Sequence, residues 1–181
     1  RCVLCCGRVW LTSFESVVVM GGGAGGFCRC ALEGGRDIAG GSVPDASRTL
    51  LECTVTGGPK TGILLREARD TYIAGGSITS ETSALFAVGS HAVVVKDARS
   101  SGGSPAVCVQ GETDLLLSDA QVESSGAVGL AVEEGARASL VRVDLSAASK
   151  ALGLEKATGR SYPSKLRGDA LAEDPSSLAP W

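Results

Sequence analysis

The chain has 181 residues, with 17 Lys and Arg against 20 Asp and Glu and a formal charge of -3. That balance argues against nucleic acid or an anionic membrane surface as the main partner, since both require a basic excess. Hydrophobic residues make up 44 %, aromatic residues only 4 %, and 25 residues are Gly, which indicates one domain with a core of small aliphatic side chains. No apolar run reaches the length of about 18 residues that spans a bilayer.

The N-terminal part of the chain is rich in cysteine. Five of the seven cysteines lie between Cys2 and Cys30, and an odd number in a chain of this length is not typical of a disulfide framework. We interpret them mainly as small buried hydrophobic residues. Disulfides remain an alternative, as does a zinc site of thiolates, for which the candidate ligands are Cys2, Cys5, Cys6 and Cys28. We expect no cofactor, and the sequence assigns no compartment.

An internal repeat runs through most of the chain. Six segments share alternating inward positions, and each begins 22 or 23 positions after the one before it; they begin at Gly25, Arg48, Thr71, Val93, Leu115 and Ala138. A second set of apolar pairs keeps the same spacing and begins at Ile63, Leu85, Val107, Leu130 and Leu152. Alternation with period two indicates strands, and strands that return at a nearly constant interval indicate a solenoid whose coils stack one strand spacing apart.

The repeat predicts an all-β fold, a single-stranded parallel β-helix of about six coils over residues 15–158. Residues 1–14 are predicted to be an N-terminal cap or a first partial coil. After Leu154 the register falls on Arg160, Tyr162, Lys165 and Arg167, which are poor core residues, so the ladder is expected to stop near residue 158. Residues 159–181 are therefore predicted to form a cap and an extended tail, because both ends of a solenoid need covering.

The repeat resembles that of the right-handed parallel β-helix families with "PbH1"-type repeats. The residues that carry the resemblance are Leu50-Leu51-Glu52-Cys53-Thr54-Val55, Thr61-Gly62-Ile63-Leu64-Leu65 and the segment from Val128 to Ala136. This repeat is shared by F-box-type and Shc-binding-protein-like β-helix proteins, bacterial surface proteins and, more distantly, pectate-lyase-like enzymes. The resemblance and the repeat length imply a right-handed solenoid.

One outward column carries the candidate catalytic residues. Its members in successive coils are Glu52, Gly75, Asp97, Asp119 and Arg142. Paired carboxylates can hold Ca²⁺ or share a proton, and an adjacent Arg can act on an acidic sugar. The resemblance to pectate lyases makes a polysaccharide-binding or polysaccharide-cleaving face of Asp97, Asp119 and Arg142 the enzymatic alternative.

The favoured function is a non-catalytic structural or interaction module. Charged outward positions are expected on any soluble solenoid, and His91 lies in a turn with no partner at a spacing suited to nucleophilic catalysis. We therefore expect no enzymatic activity and expect the chain to be an accessory or scaffold subunit of a larger assembly. It would bind its neighbours through the faces of the solenoid, its ends and the C-terminal tail. Its partners would be other proteins, with carbohydrate as the alternative ligand, and no nucleic acid or membrane span is expected.

Overall fold

A computed structural model describes residues 2–8, 25–33, 36–39, 48–57, 59, 61–161, 164–172 and 178–180. Side chains are described for residues 52–57, 59, 61–159 and 164–167.

The described part of the chain consists of β-strands joined by short bends and loops. In chain order the strands are β1 (Cys2–Arg8), β2 (Gly25–Glu33), β3 (Arg36–Ala39), β4 (Arg48–Leu51), β5 (Thr54–Thr56), β6 (Ile63–Arg66), β7 (Arg69–Ala74), β8 (Ser77–Thr79), β9 (Leu85–Val88), β10 (His91–Lys96), β11 (Arg99–Gly102), β12 (Val107–Gln110), β13 (Asp114–Ser118), β14 (Gln121–Ser124), β15 (Val128–Glu133), β16 (Arg137–Val141), β17 (Asp144–Glu155), β18 (Thr158–Ser161), β19 (Lys165–Ala172) and β20 (Leu178–Pro180).

The strands stack into three parallel sheets, and each coil contributes one strand to each sheet. Sheet A contains β3, β6, β9, β12, β15 and the second half of β17. Sheet B contains β4, β7, β10, β13, β16 and β18. Sheet C contains β5, β8, β11, β14 and the first half of β17. The chain is thus a parallel β-solenoid of about five turns, and the predicted fold class is confirmed.

The predicted register is also confirmed. Gly25 pairs with Arg48, Arg48 with Thr71, and Thr71 with Val93, as the spacing of the repeat requires. In sheet A, Ile63 pairs with Leu85, and the same column continues to Leu152. A slip by one residue would turn every inward side chain outward, so the apolar alternation determines the register.

Five of the six segments of the first repeat set are two strands rather than one, and the segment that begins at Gly25 is the single strand β2. In the segment of β4 and β5, the inward positions that the repeat predicts, Leu50 and Cys53, are three positions apart, an interval that strict alternation cannot place on one face. The structure resolves the conflict with a bend at Glu52, whose φ is 51°. The same bend recurs in the following coils between sheets B and C. A second left-handed column, which includes Glu67 and Glu134, turns the chain from sheet A into sheet B.

The interior contains one apolar cluster that runs along the solenoid axis. Leu65, Val93, Val107, Leu130 and Leu145 are among its members, and each is at most 1 % exposed. Buried hydroxyl groups lie at the bend between sheets A and B. There Ser90 Oγ accepts a hydrogen bond from the Ala68 amide at 3.1 Å. Thr113 Oγ1 accepts a hydrogen bond from the Ser90 amide in the preceding coil, also at 3.1 Å. These bonds satisfy backbone donors that the bend leaves without a strand partner.

Parallel pairing extends toward both termini. At the N-terminal end, β1 pairs with β2 in the repeat register, with Cys2 opposite Gly25. At the C-terminal end, β18 pairs with β16, β19 with β17 and β20 with β18. Leu166 follows Leu145 in its column and packs against the core. Parallel pairing is thus present in β18, β19 and β20, and the division of the chain into a solenoid, a cap and a tail stays a prediction.

Candidate functional site

The residues proposed for the enzymatic alternative lie at the bend between sheets B and C. Asp97, Asp119 and Arg142 occupy the same position in three successive coils, and their φ angles are 50°, 53° and 50°. The amide of Asp97 donates to the Ser118 carbonyl at 3.0 Å, and that of Asp119 donates to the Val141 carbonyl at 2.9 Å. The predicted column is thus present, and backbone hydrogen bonds hold it to the neighbouring coils.

The bend itself gives a reason for carboxylates at this position. Glycine is the residue most often found in the left-handed conformation, because it has no Cβ. In this column the glycine is Gly75, whose φ is 67°. Among other residues, Asp and Asn adopt this conformation most readily because their short polar side chains bond locally. The geometry of the turn therefore accounts for Asp97 and Asp119 independently of any catalytic role.

The structure brings Asp119 and Arg142 into direct contact. Arg142 Nε lies 2.5 Å from Asp119 Oδ1, and Arg142 Nη2 lies 2.6 Å from Asp119 Oδ2. Ser118 Oγ also donates to Asp119 Oδ2, at 2.8 Å. The bonds from Arg142 and then from Ser118 lower the pKa of Asp119 from 3.8 to about 2, and the carboxylate raises the pKa of Arg142. Both oxygens of Asp119 are occupied, so a calcium ion would have to displace Arg142 from them.

Asp97 has a looser ionic contact. Its Oδ2 lies 4.0 Å from Lys96 Nζ, and both side chains are exposed. Three further pairs link neighbouring coils: Arg99 with Glu123 at 3.0 Å, Arg167 with Asp144 at 3.4 Å and His91 with Asp114 at 3.8 Å. Solvent-exposed pairs of this kind contribute between zero and about 1 kcal/mol each. Their effect is to neutralise the outward charges of one coil against those of the next.

We predict that the Asp119–Arg142 pair makes the free energy of unfolding depend on pH in the acid range. Since the pKa of Asp119 is lowered on folding, its contribution is present above pH 3.8 and is lost as the pH falls toward about 2. Asp119→Asn should therefore be less stable than the parent chain at pH 6, and the difference should disappear near pH 2. Urea unfolding of both chains across this range measures the effect.

Asp97→Asn is the matched control for this experiment, because Asp97 occupies the same bend one coil earlier with only the 4.0 Å contact to Lys96. It should cost less at pH 6 than Asp119→Asn. An equal cost for the two substitutions would show that the contact with Arg142 contributes nothing.

A shallow groove lies next to Arg142 at the C-terminal side of the column. It has a volume of about 420 Å³ and is lined by Arg142, Val143, Asp144, Ser164 and Lys165. Ser164 Oγ accepts a hydrogen bond from the Val143 amide at 3.1 Å, which holds the two walls together. Its lining contains two cations, Arg142 and Lys165, and one carboxylate, Asp144, so the formal charge of the lining is +1.

The proposed zinc ligands fall outside the side chains that the structure describes. Their backbone places Cys5 opposite Cys28 in the pairing of β1 with β2, and Cys2 opposite Gly25. Within the described side chains no group of three or more His, Cys, Asp or Glu residues could hold a metal ion. The zinc site thus stays a prediction.

The two cysteines with described side chains are buried. Cys53 is 4 % exposed and Cys108 is 3 % exposed. Burial, together with Glu133 and Glu134, raises the pKa of Cys108 to about 12. For Cys53 and Cys108, the interpretation as small buried residues is confirmed.

Apolar side chains on the outward faces were missed by the sequence analysis. On sheet B, Tyr72, Val94 and Leu116 form one outward column, and Tyr72 is 37 % exposed. The available signal was the unbroken apolar run in β10 and β13, because strands covered on only one face alternate and strands covered on both faces do not.

Comparison of the chain with protein-family models, with curated proteins and with solved structures found no match. No helix in the described residues is long and apolar enough to cross a membrane.

Proposed function

We propose that the chain is a non-catalytic structural or interaction module, an accessory or scaffold subunit that binds other proteins through the faces of its solenoid. Within the parallel β-solenoids, we place it with the PbH1-type repeat proteins that its sequence resembles, nearer to the F-box-type and Shc-binding-protein-like β-helices than to the pectate-lyase-like enzymes.

The outward face of sheet B is the observation that carries this proposal. Tyr72, Val94 and Leu116 lie side by side on three neighbouring strands, and Ser139 follows them in the same column. Val94 and Leu116 are half-buried by their neighbours, while Tyr72 is exposed. A parallel sheet with apolar residues on both faces is normally covered on both, so this face supports a role in binding a partner.

The column of Asp97, Asp119 and Arg142 supports the same proposal. A general base needs a carboxylate that can reach the substrate proton, whereas the oxygens of Asp119 are bound to Arg142 of its own chain. Asp97 has Lys96 within 4.0 Å. The pair of Asp119 with Arg142 is typical of a surface in which successive coils neutralise one another.

The proposal is tested by the native mass of the chain in a gentle lysate, with identification of the proteins that co-elute. We expect a defined complex well above the 18.2 kDa of the single chain. Leu116→Lys should release the co-eluting proteins, because it places a charge in the centre of the apolar column. Thr79→Lys, at an exposed position of sheet C, is the control and should leave the complex intact.

Two outcomes would contradict the proposal. Elution without any other protein would remove the role in a larger assembly, and turnover of a polymer by the purified chain would remove the non-catalytic assignment. Equal release by Leu116→Lys and Thr79→Lys, or no release by either, would show that the sheet B face is not the binding surface.

The alternative function is binding or cleavage of an acidic polysaccharide, and the groove beside Arg142 favours it. The groove of about 420 Å³ adjoins the Asp97, Asp119 and Arg142 column, and Arg142 and Lys165 line it, which suits carboxylated sugars. If the chain elutes alone, a panel of acidic polysaccharides becomes the deciding assay. Asp119→Asn should then abolish binding, whereas an unchanged affinity for every polysaccharide would exclude the alternative.

A further inference from the structure

Strands β1 and β2 bring two cysteines of neighbouring coils directly opposite each other. The two strands are parallel, and Cys5 pairs with Cys28. Among the pairs that the structure describes for these two strands, this is the only one in which both residues are cysteines, since Cys2 and Cys30 each lie opposite a glycine. Cys5 and Cys28 are one repeat apart in the sequence, so it is the stacking of the coils that brings them together.

The pair lies at an accessible position of the solenoid. Its outward column continues from Cys28 into sheet B, where the members are Leu51, Ala74, Lys96, Ser118 and Val141. The four members whose side chains are described are all exposed or half-buried. By contrast, Cys53 and Cys108 are only 4 % and 3 % exposed. The register therefore places Cys5 and Cys28 in a column that dissolved reagents can reach.

The spacing of the two strands is suited to a disulfide bond. Neighbouring strands lie about 4.8 Å apart, and residues paired directly in parallel strands lie on the same face of the sheet. The Cα atoms of a disulfide are typically about 4.4–6.8 Å apart. A bond between Cys5 and Cys28 would therefore fasten β1 to β2 covalently without a change in the pairing of the two strands.

The same spacing predicts a bond that is easily reduced. In a directly paired couple of parallel strands, the Cβ atoms are about as far apart as the strands, which is about 4.8 Å. Disulfides prefer a Cβ separation of about 3.5–4.5 Å, and a departure from this range strains the bond and makes it more reducible. Strained or exposed disulfides are the labile and regulatory ones, whereas structural disulfides resist reduction. The geometry thus favours a reversible bond.

We propose that Cys5 and Cys28 form a reversible disulfide, a redox switch that fastens the N-terminal coil to the next one. Oxidation proceeds by exchange with a small-molecule disulfide. One protein thiolate attacks a sulfur of that disulfide and releases a first thiol, and the second protein thiolate then attacks the mixed disulfide and releases the other. The protein loses two protons and two electrons, which the small-molecule disulfide gains as it becomes two thiols. The proposal is independent of the proposed function, because the bond can form with or without a bound partner.

The register favours this pair over the zinc site of four thiolates. Cys2 lies three positions before Cys5 in the same strand, and alternation along a strand places residues three positions apart on opposite faces. A zinc ion bound by Cys2 together with Cys5 and Cys28 would need ligands from both faces of one sheet, whereas a structural zinc ion needs four ligands around one point. A disulfide needs only the two residues that the pairing already brings together.

Peptide mapping of the purified full chain under non-reducing conditions tests the proposal. The reduced chain is equilibrated with oxidised glutathione, blocked with an alkylating reagent and digested with trypsin. Cleavage after Arg8 and Arg29 leaves Cys28 as the only cysteine of its peptide, so a link from this peptide to that of residues 2–8 is identified by its mass. We expect fragmentation to assign the link to Cys5, and we expect an excess of reduced glutathione to remove it.

Single serine variants identify the partners of the link. Cys5→Ser and Cys28→Ser should each abolish it. Cys2→Ser and Cys6→Ser are the matched controls within the same peptide and should leave the link at the parent level. In urea the register is lost, so oxidation of the unfolded chain should distribute the links of Cys28 over all three cysteines of the peptide. A native chain that gives the same mixture, or that forms no link in excess oxidised glutathione, would overturn the proposal.

Hydrogen exchange measures the effect of the switch on the fold. Oxidation should slow the exchange of the β1 and β2 amides at least about tenfold, because the covalent link opposes local opening of the first coil. Reduction should reverse the change, exchange in β13 to β16 should stay the same, and Cys5→Ser should show no difference between the two conditions. Equal exchange of β1 in the oxidised and the reduced parent chain would show that the bond does not fasten the coil, and the switch would be excluded.

Zinc content separates the proposal from the metal site. The reduced full chain is incubated with zinc chloride, dialysed and analysed for metal, and its thiols are then alkylated. We expect no zinc to remain bound and Cys28 to be alkylated as readily as before. A bound zinc ion that protects Cys2, Cys5, Cys6 and Cys28 together from alkylation would replace the disulfide by the metal site.

Discussion

Gly76→Ala is expected to destabilise the chain by about 3–5 kcal/mol, near the upper end of what single substitutions cost. Gly76 has a φ of 75°, and a Cβ built there would overlap the backbone carbonyl of Cys53 in the preceding coil, with the Cys53 nitrogen at 2.7 Å. Backbone cannot rotate away as a side chain can, so the two coils must separate at this corner. Urea unfolding of the purified chain, followed by circular dichroism, measures the loss.

Gly135→Ala is the matched control because it isolates the contact from the backbone conformation. Gly135 also has a positive φ, 87°, but a Cβ there meets nothing within 4 Å. Its substitution should cost about 1–2 kcal/mol, the cost of a left-handed residue that carries a Cβ. Equal losses at the two positions would mean that the close approach of Gly76 to Cys53 is absent in solution.

Leu117→Ala is expected to cost about 2–5 kcal/mol, the range for truncation of a fully buried leucine. Leu117 is 1 % exposed and stacks between Val95 and Leu140 of the adjacent coils. The cavity would lie in the middle of the apolar cluster, where neighbouring coils hold the backbone on both sides. The same unfolding experiment gives the value.

The adjacent residue on the same strand supplies the control for this prediction. Leu116 points outward and is only half-buried, so Leu116→Ala should cost less than about 1 kcal/mol in the isolated chain. The two substitutions delete the same atoms one residue apart, and only the face of the strand differs. Similar losses would contradict the assignment of inward and outward faces in β13.

The inward positions and the register could be predicted from the sequence. The apolar alternation indicates which positions face inward, and the repeat interval indicates which residues are paired. Arg48, Thr71, Val93 and Leu115 stack as their regular spacing predicts. The division of each coil into three strands was not predicted, although the interval from Leu50 to Cys53 contains it. An interval of three positions between inward residues requires a bend, which the left-handed Glu52 supplies.

For the candidate site, the sequence predicted which residues share one outward column but not which of them are in contact. The spacing of the repeat aligns Asp97, Asp119 and Arg142. It places each of them one coil from the next and so does not distinguish the two neighbouring pairs. The structure distinguishes them, because Arg142 binds both oxygens of Asp119 while Asp97 has the longer contact with Lys96. Side-chain rotamers on a bend depend on the local backbone, and the repeat length carries no information about them.

By itself the sequence determined the fold class, the coil length and the inward ladder, since burial of one face of every strand leaves a period of two in the residues. Tertiary structure alone decided which outward side chains share a surface. Leu64 and Gly153 are 89 positions apart in the chain, and they share one column of sheet A only when four coil steps have been stacked. Core packing places no periodic constraint on the outward residues. Their surroundings are therefore known only when the stacking of the coils shows which outward side chains are neighbours.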